Sequence, residues 1–166
     1  MTNTGSPARR IARTGILIAL CVVGALIKIP SPTGSVALDA APAFLAAFAF
    51  TLPEAALVAV LGHLVSAATA GFPLSLPVHL IIAVTMAVAV AGAGWAARRA
   101  NVWVGVVVGI VLNGVGAPLT LVPMFGWGFF AGMLVPLLVG AAINVILAAL
   151  VAKALKAAGL AEPSPA

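Results

Sequence analysis

The sequence predicts an all-α integral membrane protein with six transmembrane helices and both termini cytoplasmic. Three observations lead there. Of 166 residues, 64% are apolar and 7% charged, with a mean hydropathy of +1.28. A soluble domain carries roughly a quarter charged residues, so this surface must face lipid. Polar, proline- or glycine-rich stretches divide the chain into six apolar runs, and the basic residues cluster at the ends of those runs on one side.

The first run, residues 11–29, ends at Pro30. Arg9, Arg10 and Arg13 followed by "GILIALCVVGALI" mimic a signal peptide, and "APA" at 41–43 mimics its cleavage site. About a dozen loop residues separate that site from the apolar run, so a first transmembrane helix is the better reading. A short second run, 41–52, ends in "TLPE". The third, 54–70, opens on Pro53 and Glu54, a pair suited to a helix N-terminus and its positive dipole end. "GFPLSLP" at 71–77 is a turn leading into the fourth run, 78–97, which "ARRAN" closes. The fifth covers 102–122, "VPMFGWG" at 122–128 is read as a loop, and the sixth covers 129–152. The chain thus divides into a cytoplasmic segment 1–10, a membrane domain 11–152 and a tail 153–166 expected to be cytoplasmic and disordered.

With a cytoplasmic N-terminus, Arg9, Arg10, Arg13, Arg98, Arg99, Lys153 and Lys156 all lie inside, and Lys28 alone lies outside. That asymmetry is the positive-inside signature, and it agrees with an even number of spans. It also explains the net charge of +5 without nucleic acid, because the charges mark span ends rather than one binding face. Outside lie the loops rich in Pro, Gly, Ser and aromatic residues; inside lie short, plain connections. A solute would meet the first kind.

Ionisable residues at membrane depth face the protein interior or a wet cavity. His63 lies midway along the third run, with Ser66 and Thr69 following at helical spacing; it either packs helices or meets a ligand. His79 opens the fourth run as a cap or a ligand contact. Asn113, ahead of Gly114, Gly116 and Pro118 where the helix can loosen, and Asn144 suit interhelical hydrogen bonds or binding. The first loop offers Lys28, Ser31, Thr33, Ser35 and Asp39. Asp39 caps the second helix, braces the loop or contacts a ligand. Phe72, Ser75 and Trp127 complete the outward-facing candidates, Trp127 being also suited to an interfacial belt, as are Trp95 and Trp103. On the first helix, Ala8, Ala12, Gly15 and Ala19 recur at intervals that permit close helix approach. The lone Cys21 reads as a small buried hydrophobe.

There is no HExxH, GxSxG, CxxC or phosphate-cradling loop, and three acidic residues leave no carboxylate pair for acid–base work. No catalytic residue, cofactor or metal is expected. Active transport would draw its energy from another subunit.

The runs "IPSPTGSVALD" after the first helix and "PEAALVAVLGHLVSAATAGFPLSLPVH", set among six short spans, resemble the substrate-binding S component of energy-coupling factor (ECF) transporters over residues ~10 to ~152. The resemblance implies capture of a water-soluble vitamin or vitamin precursor from outside, then docking on a membrane-embedded coupling subunit driven by two ABC-type ATPases in a prokaryotic cell membrane. It implies a docking face on the first helix, matched by Ala12, Gly15 and Ala19, and a ligand under the first, third and fifth loops. It leaves the ligand open, a corrinoid or its precursor among the options. A stand-alone solute transporter or channel, an intramembrane enzyme using His63, Ser66 or His79, and a purely structural subunit are the alternatives.

Overall fold

The computed structural model describes residues 6–34 and 36–161. Helix α1 spans Pro7–Ala25. Ser6 caps it, accepting from the Arg9 amide at 3.4 Å, and Pro7 suits the first turn. The helix stops short of residue 29 because the chain there pairs with the far side of its own loop. The Ile29 amide donates to the Val36 carbonyl at 2.9 Å, and the Leu38 amide to that of Ile27 at 3.1 Å. Lys28 and Ala37 form an isolated antiparallel bridge, and Gly34, at φ 62°, makes the turn a side chain would resist.

Helix α2, Ala41–Ala49, has only 9 residues. At ~1.5 Å per residue it cannot cross a ~30 Å hydrocarbon layer. The loop before it packs inward: Val36, Ala37 and Ala40 are buried, so irregular backbone enters the bundle. Such backbone is tolerated at membrane depth only where protein surrounds it, as here. α2 lies at the centre, against α1, α3, α4 and α7. Phe44 and Ala46 have no exposure at all, as expected of a helix apolar on every side.

Around it run α3 (Leu52–Thr69), α4 (Leu76–Arg99) and α5 (Val102–Val111). A π-helical turn, Leu112–Gly116, joins α5 to α6, Ala117–Thr120. This is the loosening that Gly114, Gly116 and Pro118 suggested, since Pro118 has no amide to continue the α-helical ladder. Helix α7 spans Val122–Ala157. The loop expected at 122–128 is instead helical on both sides of Gly126, whose φ of 76° and ψ of 174° break the helix. The turn before it forms because the amides of Met124 and Phe125 both donate to the Leu121 carbonyl. α7 also continues past residue 152, so Lys153 and Lys156 stand on helix.

Among the described residues, four stretches are long and apolar enough to cross a membrane: Leu52–Thr69, Leu76–Arg99, Val102–Thr120 and Val122–Ala157. α1 has the length, but Arg9, Arg10 and Arg13 fill its first turns, and α2 is too short. The flanks of the bundle are apolar, with Ile16, Val84, Val107 and Val135 more than half exposed, as a lipid-facing surface requires.

Interior helices approach closely through small side chains. A methyl group on Gly62 would collide with Cys21 of α1, which is itself 1% exposed. At the end of the bundle that carries both termini, α1 is tied to α3 by an ion pair. Arg13 Nε donates to Glu54 Oε1 at 2.7 Å, and its Nη2 to Oε2 at 2.5 Å. Thr14 Oγ1 adds a bond at 3.3 Å. The Arg13 guanidinium lies 3.7 Å from the centre of the Phe50 ring. Glu54 thus does more than complement a helix dipole: its side chain is 2% exposed, and breaking a buried pair strands the remaining charge.

Glu54→Ala is expected to cost about 3–5 kcal/mol, read as a lowered unfolding midpoint in detergent. The Arg13→Ala/Glu54→Ala double variant should cost less than the sum of the singles; strict additivity would show that the pair is uncoupled.

Candidate functional site

At the end of the bundle opposite the termini, a cavity of about 110 Å³ lies beneath the first loop, ample for several waters. Its walls come from the loop (Val36, Ala37, Asp39), α3 (His63), α4 (His79, Ile82, Met86), the π turn (Asn113), α6 (Pro118) and α7 (Phe129, Met133, Leu137, Asn144). Most of the lining is apolar, with a few polar groups converging on it, the usual make-up of a small-molecule site.

The loop is seated on one face of α7. Thr33 Oγ1 reaches the Met133 sulfur at 3.8 Å. A side chain on Gly140 would crowd Ile29 and Val36, its Cβ coming 3.1 Å from each. One turn on, Asn144 is 2% exposed and uses its whole amide group. Its Oδ1 accepts from the Ala41 amide at 2.8 Å, and its Nδ2 donates to the carbonyls of Ala37 (3.2 Å) and Gly140 (2.9 Å). Residues 133, 137, 140 and 144 follow the i, i+4, i+7 rhythm of a single helical face. Asn144 is therefore the group that caps α2, a role the sequence offered to Asp39; Ala40 stands at the N-cap and makes no side-chain bond.

Asp39 turns to α3 instead. Its Oδ2 lies 3.8 Å from His63 Nδ1, and His63 Nε2 lies 3.1 Å from His79 Nδ1. The rings are 5.2 Å apart, and Phe72 packs on the far side of His79 at 5.7 Å. The line of groups ends at His79 Nε2, which is buried and has no hydrogen-bond partner among the described residues. Buried polar atoms in that state call for an explanation.

Of the other candidates, Lys28 borders a smaller hollow shared by Asp39, Ser66 and His79; among the described residues, the ionic neighbour found for Asp39 is His63 rather than Lys28. Ser31 Oγ is buried without a partner among the described residues, as is Ser66 Oγ, while Thr69 bonds back to the Ser66 carbonyl at 2.7 Å. Ser35 lies outside the described residues. Ser75 is exposed, ahead of α4. Trp127 is 66% exposed and packs edge-on against Phe130 at 5.7 Å; neither it nor Ser75 lines the cavity. Ala12, Gly15 and Ala19 are exposed on α1, and Gly15 lies in a groove with Thr14, Glu54 and Leu57. Met86, Met133 and Ile82 are walls that no sequence signal singles out, since apolar residues in an apolar chain carry no distinguishing mark. His63 and His79 were visible singly; their contact was not. No group of three or more His, Cys, Asp or Glu able to hold a metal occurs among the described residues.

Asn144→Ala leaves the Ala41 amide and two carbonyls without their partner, at about 1–3 kcal/mol for each group that water cannot reach. The expected outcome is faster hydrogen exchange across residues 36–43 with little change in α4; unchanged exchange there would remove Asn144 from its bracing role.

A family model for the substrate-specific component of ECF transporters matches residues 9–155. No curated protein and no solved structure matches the chain.

Proposed function

The chain belongs to the substrate-specific components of ECF transporters, a transport component and not an enzyme, and we propose that the cavity under the first loop is where it captures its solute. The observation that carries this reading is the unpartnered His79 Nε2 at the cavity wall. His63 Nδ1 faces the Asp39 carboxylate at 3.8 Å, an arrangement that suits the tautomer in which His63 Nε2 accepts from His79 Nδ1–H. That leaves His79 Nε2 as an acceptor. The ligand would present an N–H or O–H donor to it, with Phe129, Met86 and Met133 giving apolar contact and Asn113 a further polar one. Asn144, fully bonded within the protein, shapes the wall rather than contacting the ligand.

The cavity of about 110 Å³ is smaller than the ~150 Å³ that takes up one benzene ring, so a vitamin-sized ligand, and a corrinoid still more, would need the first loop lifted off α7. Capture would occur from the extracytoplasmic side, with the termini cytoplasmic. Six membrane segments result when α1 counts as one and the buried loop with α2 as another. The exposed Ala12, Gly15 and Ala19 face of α1 would meet the membrane-embedded coupling subunit, with two ABC-type ATPases supplying energy.

The direct test is mass spectrometry of small molecules released from the purified, denatured chain, followed by titration of whatever is found. His79→Ala should weaken that ligand by roughly 5- to 150-fold, the equivalent of ~1–3 kcal/mol for a lost buried hydrogen bond, while His79→Gln keeps an acceptor and much of the affinity. Equal binding by His79→Ala would remove this cavity from the capture role. A separate outcome tests docking: Gly15→Leu/Ala19→Leu should bind ligand normally yet abolish uptake by the assembled transporter.

A further inference from the structure

A second cleft, of about 540 Å³, opens at the end of the bundle that carries both termini, between α2, α4, α5 and α7. Its lining includes the apolar Phe48 and Ala97, and Arg98, Lys153 and Lys156 bring three cationic side chains to it. The Arg98 guanidinium is fixed by two neutral partners, donating to the carbonyls of Gly94 (2.8 Å) and Phe50 (2.7 Å). Gly94 permits this, because a side chain there would meet Arg98 Nη1 at 2.9 Å. Arg98 Nε is buried and has no partner among the described residues. The charge is thus held in place but not neutralised. Among the described residues no carboxylate lines the cleft: Glu54 is engaged by Arg13, and Asp39 belongs to the opposite end.

Arg98 stands next to last in α4, and three cations gathered there with no carboxylate among them call for a counter-anion that compensates them. The surroundings indicate which one. Trp95 and Trp103 are about half exposed beside the cleft, at the level where indoles mark a membrane–water boundary. The apolar, lipid-facing side chains of Val104 and Leu150 are exposed on the helices that flank it. We propose that this cleft holds the phosphate headgroup of an anionic lipid from the leaflet on the side of the termini, with the acyl chains lying along α5 and α7. Three cations complement the phosphate, and the apolar flank accommodates what a soluble phosphate lacks. Basic pockets of this kind between helices recognise anionic headgroups.

The test is native mass spectrometry of the full chain titrated with phosphatidylglycerol or with phosphatidylcholine of the same acyl chains. Phosphatidylglycerol is expected to be retained preferentially. Lys153→Ala/Lys156→Ala should lower its retention by roughly 30-fold, the worth of two cations near a charged headgroup. Lys153→Arg/Lys156→Arg should retain it, which separates loss of charge from loss of fold. Equal retention of the two lipids, or of phosphatidylglycerol by the alanine variant, overturns the proposal. So does displacement of the lipid by soluble glycerol phosphate at equal concentration, which would assign the cleft to a free anion.

Discussion

Asn144 makes three hydrogen bonds in a largely apolar interior, and the architecture around the cavity depends on them. The second helix has 9 residues, about half of what a full crossing needs, and the segment before it, backbone without helical hydrogen bonds, is buried in the bundle. One side chain from α7 satisfies the start of α2 and the strand-like segment before it, and that allows the loop to plunge inward. The inward path in turn places Asp39 against α3 and roofs the cavity. An apolar replacement of similar shape would leave the same volume but strand the backbone groups, which is the more expensive change.

Polar contacts are few in this molecule, and each joins elements far apart in sequence. Arg13 and Glu54 join α1 to α3 at one end; His63 and His79 join α3 to α4 at the other; Arg98 joins α4 to the carbonyl of Phe50, the residue just after α2. Lipid offers no hydrophobic drive to hold helices together, so close approach of small residues and such bonds carry the association. The glycines against Cys21, Phe44 and Ala93 belong to the same economy: they let backbones approach where side chains would hold them apart.

Much of this was legible in the residues. Apolar runs located the first five helical stretches to within a few positions, Pro118 and its glycines foretold the loosened turn, and the Pro/Ser/Thr/Gly loop marked the end of the bundle where the cavity lies. The unread part has a common physical cause. Pairing between distant polar residues, Asp39 with His63 or Arg13 with Glu54, depends on which helices are neighbours, and hydropathy says where helices are but not how they are arranged. The inward dip of residues 36–40 was hidden for a related reason: "VALDA" is as apolar as a helix segment and as polar as a loop, and only the Asn144 bonds decide between them. The stretch 122–128 has the proline and glycines of a loop, yet Gly126 is a single break between two helical turns.

The arrangement of the three tryptophans gives the molecule a spectroscopic polarity. With no tyrosine in the chain, its near-ultraviolet signal comes chiefly from indoles, and two of these sit at the terminal end with cations over their rings, Arg99 at 5.8 Å from Trp95 and Lys153 at 5.6 Å from Trp103. The third, Trp127, stands immediately after the Gly126 break, two residues from Phe129 on the cavity wall. A rearrangement of that hinge registers in one chromophore and leaves the other two as an internal reference. The native chain therefore carries its own reporter of events at the loop end, with no label added.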